Sequence, residues 1–432
     1  MKKIKFILSF FMLLFLVLVI SACSSNNQDL KPLQDALDEY DIRIADLEAT
    51  IDSLKRNTTN ANKRHDDSIE DLEKELQALQ KQLEDTQSAN GVGVKVFLAD
   101  QYYLVVGDTF QLFYRSIIRA VNPYGYYIRL SGDDGHAYNR YYEFTPTRTG
   151  TFNLTIEVCD NDGNVYGKDS TKLIVASKTT SKSKTVLCIG DSLTSSGHWV
   201  ARGANKFKAA GGKMTTVGTV DKTLYNVTVH YEGRAGWQWS SYISGFNDTP
   251  SPFVYNNKLD FKAYAENHNY GEITEFYIMM TFNGLPGVFK EFSFEDTFIK
   301  QAKEFIDTIH RDFPNAKISL MNLPLTSTNS GLGAYYTINL AYGDNYGKAV
   351  TVLHYGDFLE QWCKMDEYKS FMRYVDIKAQ FDSEYNMPSE SKKVNTTSST
   401  TELVGNSMGL HPSVAGYEQI GDAFYRALMS NW

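Results

Sequence analysis

A serine near the middle of the chain has the features of a nucleophile. The apolar run 186–189 leads directly into Gly-Asp-Ser-Leu at 190–193, which places Ser192 on a strand-to-helix turn. At such a turn the hydroxyl lies at the strand end, and the serine's own N–H can face a developing oxyanion. Because Gly-Asp-Ser is also ordinary turn chemistry, this tetrapeptide alone does not define a site.

A histidine near the other end of the chain has the features of a general base. His411 lies just before the amphipathic run 413–429, a pattern that predicts a loop followed by a helix. From that loop the imidazole could reach a serine hydroxyl and accept its proton. A lone histidine at a helix start usually packs or caps, so it is the combination with Ser192 that favours catalysis.

The combination resembles the SGNH (GDSL) hydrolases, a family of serine esterases. Residues 190–193 match the family's first sequence block and His411-Pro412 matches its last, so the resemblance covers 185–432. It implies an α/β fold of three layers around a central parallel sheet. It also implies ester hydrolysis through an acyl-enzyme, with Ser192 as nucleophile and His411 as base.

The resemblance continues at a second block. Residues 232–237 read Glu-Gly-Arg-Ala-Gly-Trp and are similar to the block whose glycine N–H joins the family's oxyanion hole. That similarity implies Gly236 as the donor, with Gly233 as the reserve.

A third block is similar to residues 281–284. These read Thr-Phe-Asn-Gly after an apolar run, where the family carries Gly-x-Asn-Asp, and the match implies Asn283 as a further donor. Thr281 and Gly284 depart from the family pattern, and Asn-Gly is also a plain turn. The implied oxyanion donors are the N–H groups of Ser192 and Gly236 and the amide of Asn283.

The acid that usually orients the histidine is absent. The family carries Asp three residues before the histidine, where this sequence has Met408. Loss of that acid without replacement can lower the rate by several orders of magnitude. Three alternatives stay open: a backbone carbonyl within 406–409 orients His411 in a Ser-His dyad, an acid elsewhere such as Glu402 substitutes, or the domain is catalytically impaired. Asp191 is expected only to hydrogen-bond the turn.

The remaining side chains indicate neither a cofactor nor a nucleic-acid partner. The sequence has no clustered His/Cys set and no glycine-rich phosphate loop, so it predicts no metal and no cofactor. The net charge of -8, without a concentrated basic patch, argues against nucleic acid. Cys159, Cys188 and Cys363 are too widely spaced for a CxxC metal site, although one disulfide among them stays possible.

Alternating strands and helices in 185–432 must position the site. Strands are expected at 185–189, 276–281 and 317–322, and helices at about 295–312 and 413–429. This alternation predicts an α/β sheet covered by helices. Active sites of such sheets lie beyond the carboxyl ends of the strands.

Two further modules precede this domain. Within 91–178, short runs of β-branched and aromatic residues between turn signals predict a small immunoglobulin-like β-sandwich. Within 23–90, two heptad seams predict a coiled-coil stalk, either one interrupted helix or a hairpin, that would self-associate into a homo-oligomer. The first seam is Leu37, Tyr40, Ile44, Leu47, Ile51 and Leu54, and the second is Ile69, Leu72, Leu76, Leu79 and Leu83.

The chain begins with an export signal. Three lysines precede the apolar run 6–20, and Ile-Ser-Ala-Cys at 20–23 resembles a bacterial lipobox. We therefore expect 1–22 to be removed and Cys23 to be lipidated, which would anchor the protein in the cell envelope, outside the cytoplasm.

Location and modules together suggest the substrate. An envelope esterase with an accessory β domain, and with Trp237, Trp239 and Tyr242 near the second block, is expected to remove acyl groups, above all acetyl, from a carbohydrate. Another small ester is a further possibility. The alternative is a catalytically impaired glycan-binding protein or adhesin on the same scaffold, which the methionine at 408 favours.

We predict that Cys23→Ser releases the protein from membranes, because the thiol that would receive the acyl chains is lost. Membrane fractionation of the variant beside the unaltered protein measures this. Unchanged fractionation with the leader still attached would contradict lipidation and support an uncleaved signal anchor.

Overall fold

The computed structural model describes residues 31–57, 72, 74–79, 93–120, 122–285, 298–326, 345–406 and 409–431. The chain divides into two compact units, Met1–Gly93 and Val94–Trp432. The leader and Cys23 lie outside the described residues. Within the described part of the chain, no helix combines the length and apolarity needed to cross a membrane.

The first unit contains a long helix. Helix α1 spans Lys31–Asn57, and residues 74–79 are also helical. Along α1, Ile51 of the predicted seam is buried, whereas Ile42 outside the seam is 69% exposed. Pairing of this helix with a second helix or a second copy stays a prediction.

The second unit begins with strands in two main sheets. The strands are β1 (Lys95–Val96), β2 (Gln101–Val105), β3 (Phe110–Phe113), β4 (Ile118–Arg119), β5 (Tyr127–Gly132), β6 (His136–Ala137), β7 (Tyr141–Phe144), β8 (Gly150–Cys159) and β9 (Val165–Ala176). One sheet has the order β2-β9-β8-β5 and the other β3-β7-β6. Ring contacts between Tyr102 and Phe110 and between Phe144 and Phe152 join the sheets. The immunoglobulin-like assignment stays a prediction.

The rest of the unit is a mixed α/β arrangement. Its main strands are β10 (Ser183–Gly190), β11 (Lys213–Val217), β12 (Val220–Leu224), β13 (Val227–Gly233), β14 (Val254–Tyr255), β15 (Lys258–Leu259), β16 (Glu275–Met279), β17 (Lys317–Met321) and β18 (Met372–Val375), followed by the hairpin β19 (Ser389–Lys393) and β20 (Thr401–Gly405). The helices are α2 (Ser192–Ser195), α3 (His198–Ala209), α4 (Trp239–Ser244), α5 (Phe261–Asn267), α6 (Lys300–Asp312), α7 (Asn345–Lys364) and α8 (Val414–Met429). The predicted α/β class is confirmed.

A largely parallel sheet forms the centre of this arrangement. Its order is β12-β13-β10-β16-β17-β18, with β11 also pairing with β10, and only the β12–β13 pair is antiparallel. Residues 186–189 in β10 are fully buried, as expected for a continuous apolar run in the middle of a parallel sheet.

The strands of this sheet end in register. Gly190 pairs with Gly233 and with Met279, and Met279 in turn pairs with Met321. The segments that follow β10, β13 and β16 therefore leave the sheet at one edge, which is where α/β sheets form their sites. These are the segments of the three sequence blocks.

Polar contacts join the β-strand module of residues 94–178 to the α/β domain. The Tyr102 hydroxyl donates to Asp376 (2.8 Å), and Lys206 and Arg426 donate to Asp108 (2.6 and 2.7 Å). Asp376 is buried and also pairs with Lys378 at 2.8 Å, so separating the two parts would cost this carboxylate one of its hydrogen bonds. The module and the α/β domain form one compact unit.

The structure also revises several local expectations. Strand β16 ends at Met279, two residues before the predicted boundary, because the chain leaves the sheet through the tight turn that follows. Strands β11 to β13 and β18 and helix α7 were not predicted, since their short or mixed apolar patterns give weak periodicity. Cys159, Cys188 and Cys363 are free and buried, so no disulfide joins them.

Candidate active site

Ser192 lies where strand β10 turns into helix α2. Asp191 caps this helix by accepting the N–H of Leu193 at 3.0 Å. Ser192 is the first helical residue, so its N–H has no acceptor within the helix and is available to an anion. The turn is tight, because a Cβ at Gly190 would overlap Thr194 and Met279.

The structure brings His411 to this serine. The imidazole Nε2 lies 2.9 Å from Ser192 Oγ, across 219 residues of sequence. Desolvation by the surrounding protein atoms lowers the pKa of His411, which favours the neutral imidazole that a general base requires. Ser413 begins α8 as its cap, and both its N–H and its hydroxyl donate to the carbonyl of Asn386 at 2.9 Å.

The group that would orient the imidazole is not found among the described residues. There, neither a carboxylate nor a backbone carbonyl accepts a hydrogen bond from His411 Nδ1. Glu402 lies in β20 with an exposed side chain and makes no contact with the imidazole. Residues 407 and 408, including Met408, lie outside the described residues, so the dyad stays a prediction for a carbonyl of these two residues, whereas those of Asn406 and Gly409 do not accept the Nδ1 proton.

The second block forms a turn bound to the nucleophile strand. The N–H of Arg234 donates to Gly190 O at 3.0 Å, and the N–H of Trp237 donates to Arg234 O at 3.2 Å. Gly236 has φ +80°, a left-handed conformation that favours glycine. Its N–H has no hydrogen-bond acceptor among the described residues and is therefore available for an oxyanion. Gly233 serves close packing instead, since a Cβ there would lie 2.6 Å from backbone atoms of Thr194 and Ser195.

The third block lies beside the second. Asn283 is in the short 3-10 helix Phe282–Gly284, and its side-chain amide donates to Trp237 O at 3.1 Å. This contact uses one of the two amide hydrogens and leaves the other for a ligand. The Asn283 amide therefore bonds to the residue that directly follows Gly236 in the chain.

Thr281 explains how this block departs from the family pattern. Its φ is +97°, a strained conformation for a β-branched residue and an ordinary one for the glycine that the family carries. The Thr281 hydroxyl accepts the indole N–H of Trp239 at 2.7 Å and shares a hydrogen bond with Tyr355 at 2.9 Å. These bonds tie the block to α4 and to α7. Tyr355 was missed by the sequence analysis, as was the contact between Trp239 and Thr281, and the threonine in a glycine position was the signal that pointed to them.

The aromatic residues near the second block do not face solvent. Trp237, Trp239 and Tyr242 are at most 4% exposed, so they cannot stack on a sugar and do not support the expected carbohydrate substrate. The Tyr242 hydroxyl instead contacts the carbonyls of Gly190 and Glu232 at 2.8 and 2.6 Å, which joins the first two blocks. Phe246 is the ring that is exposed here, and a Cβ at Gly236 would lie 3.5 Å from it.

Asp191 is fully buried behind the nucleophile. Burial raises its pKa to about 7, although the N–H groups of Leu193 and Phe282 favour the charged form. The positive charge of Lys348 in α7 also lowers the pKa of Asp191, and burial lowers the pKa of that lysine in turn. The Lys348 ammonium donates to Leu285 O at 2.7 Å, so it also supports the end of the third block.

A metal centre has no ligand set in the part of the chain that the structure describes. There, no group of three or more His, Cys, Asp or Glu side chains is arranged to hold an ion.

Comparisons with known proteins return structural similarities only. No family model and no curated protein matches the sequence. The aryl esterase of M. smegmatis is 12% identical and covers 57% of this chain and 98% of its own, with a TM-score of 0.33. The extracellular lipase of Streptomyces rimosus is 11% identical and covers 57% of this chain and 99% of its own, with a TM-score of 0.34. Phospholipase A1 of Streptomyces albidoflavus is 11% identical with the same two coverages and a TM-score of 0.32. Likeness at this level carries no argument about this chain, whose function has to be inferred from its own geometry.

We predict that Asp191→Asn stabilises the protein more at pH 8 than at pH 5. The raised pKa means that the folded state binds a proton more readily than the unfolded state, so stability falls as pH rises from about 4 to about 7. Asparagine removes this fall while it keeps an acceptor for Leu193. The gain in unfolding free energy should be larger at pH 8 by about 2 to 3 kcal/mol. Denaturant unfolding at both pH values measures it, and an equal effect at each would contradict the buried, titrating carboxyl.

Proposed function

We propose that this chain is a serine esterase of the SGNH (GDSL) type that hydrolyses carboxylic esters through an acyl-enzyme. The observation that carries the proposal is the 2.9 Å contact between Ser192 Oγ and His411 Nε2. The contact lies at the carboxyl edge of a parallel sheet, where the strands that lead into the second and third blocks also end.

The proposed reaction uses His411 twice. The imidazole takes the Ser192 proton as the hydroxyl oxygen attacks the ester carbonyl, and it then protonates the leaving alkoxide. Water attacks the acyl-serine in the second half, again with His411 as base. The lowered pKa of His411 keeps the imidazole neutral and ready at neutral pH.

Three donors are proposed to stabilise the oxyanion. They are the N–H groups of Ser192 and Gly236 and the amide of Asn283. The open N–H of Gly236 and the Asn283–Trp237 contact support this set. Loss of one such donor typically lowers kcat by about 10² to 10³.

The proposed substrate is an acylated carbohydrate, with acetyl as the acyl group, or another small ester. Phe246 supports this choice, because its ring is 38% exposed beside Gly236 and aromatic faces stack on sugar rings. We further propose that the protein is a lipoprotein of a bacterial cell envelope, held at the membrane by Cys23 and self-associated through its stalk. Neither a cofactor nor nucleic acid has a part in this function.

A catalytically impaired glycan-binding or adhesin function is the second candidate. It is favoured by the His411 Nδ1 atom, which has no hydrogen-bond acceptor among the described residues. Without an orienting group, the imidazole would turn freely and seldom present the correct tautomer.

Hydrolysis of p-nitrophenyl acetate by the full-length protein separates the two candidates. We expect turnover that Ser192→Ala removes, because no acyl-enzyme can then form. Equal rates for the two proteins would leave only background hydrolysis and would favour the glycan-binding function.

The dyad makes a distinct prediction at Glu402. Since this side chain is exposed and does not contact His411, Glu402→Gln should change kcat/KM by less than about tenfold, or roughly 1.4 kcal/mol. His411→Ala should instead abolish the Ser192-dependent rate. A loss of about a thousandfold or more in folded Glu402→Gln would refute the dyad and identify a relocated triad.

A further inference from the structure

The position of His411 depends on a backbone contact two residues further along the chain. Ser413 donates through both its N–H and its hydroxyl to Asn386 O, each at 2.9 Å. Gly416 of α8 packs against the same carbonyl, and a Cβ there would lie 2.5 Å from it. The location of Asn386 therefore determines where α8 begins and where the imidazole lies.

Asn386 ends a turn that is organised by one carboxylate. Asp382 Oδ1 accepts the N–H groups of Glu384 and Tyr385 at 3.0 and 3.2 Å, and Asp382 O accepts the N–H of Asn386 at 3.0 Å. The N–H of Asp382 donates to Gln419 of α8 at 2.9 Å. The turn 382–386 is thus a preformed support for the start of α8.

Two arginines of the β-strand module hold this turn. Arg140 donates to Asp382 Oδ1 at 2.5 Å and to Glu384 Oε2 at 2.6 Å, while Arg115 donates to Glu384 Oε1 at 3.0 Å. The Tyr124 hydroxyl adds a bond of 2.8 Å to Glu384. Both carboxylates are about a tenth exposed, so this charge-balanced cluster is screened little by water.

We propose that Arg115 and Arg140 of the β-strand module and Glu384 of the turn 382–386 are positioning residues that fix the general base. Through Asp382, Asn386 and Ser413 they hold the His411 loop, and they supply orientation that the SGNH family obtains from the acid absent here. This inference rests on the proposed function. Buried, fully paired ion clusters are well suited to the task, because their geometry is specific even where their net stabilisation is small.

The test compares Glu384→Gln with Asp108→Asn in the full-length protein. Asp108 is the matched control, since it pairs with Lys206 and Arg426 across the same boundary but does not touch the turn 382–386. Arg426 lies about 18 Å along α8 from the helix start, at 1.5 Å per residue. Both variants loosen the same boundary, and Glu384→Gln alone releases the turn.

We expect Glu384→Gln to lower kcat for p-nitrophenyl acetate by about 10- to 100-fold with KM changed less than about threefold, because a displaced base affects the chemical step. Asp108→Asn should keep kcat within about threefold. Arg140→Lys should retain more activity than Arg140→Ala. This pair of arginine variants replaces Glu384→Gln in the test if Glu384→Gln does not fold. Equal kcat losses in Glu384→Gln and Asp108→Asn, or none in either, would overturn the positioning role.

Imidazole ¹⁵N spectra separate this inference from the proposed function. The His411 signal is assigned by its absence in His411→Ala. If the unaltered protein shows no Ser192-dependent hydrolysis, the esterase proposal fails, and the spectra still test the support of His411. A His411 signal that shifts or broadens in Glu384→Gln and not in Asp108→Asn supports the positioning role. An unchanged signal in both variants overturns it.

Discussion

The parallel pairing around Gly190 is the constraint on which the candidate site depends. Strand β10 is hydrogen-bonded to β13 and β16 at its last residue, and the Gly190 carbonyl also accepts the N–H of Arg234 and contacts the Tyr242 hydroxyl. The absence of a side chain at Gly190 lets Thr194 and Met279 come close. The three blocks can therefore converge because Gly190 has no side chain and because its carbonyl is hydrogen-bonded to the second block.

Two residues at this edge carry a structural cost, and both have contacts to the same helix. Thr281 holds a strained left-handed conformation, and Asp191 is buried with a pKa raised to about 7. Both cost stability, in the range of a few kcal/mol for such features. Tyr355 bonds to Thr281, and Lys348 lies close enough to Asp191 to favour its charge. Both come from α7, so this helix supports the two costly residues together.

The β-strand module is structurally part of the α/β domain. Its ionic contacts reach the turn 382–386, which leads to the His411 loop, and also Lys206 of α3, Arg426 near the end of α8 and Lys364 of α7. Removal of one partner from an ion pair that is shielded from water leaves an unpaired charge, which is costly. Such a pair therefore holds its two residues in a defined position. A module bound in this way can transmit the position of Arg140 to the distant imidazole.

Local patterns were sufficient to single out Ser192 and His411, because a buried strand before Gly-Asp-Ser-Leu and a histidine before an amphipathic helix are features of adjacent residues. They also predicted the α/β class. Burial of the aromatics near the second block, and the exposed, separate position of Glu402, were decided by tertiary packing. The same holds for the contacts of Arg140 and Arg115 with Glu384, which join residues 244 and 269 positions apart. Pairing over such distances leaves no periodic signal in the chain, since it depends on how whole elements pack and not on neighbouring residues.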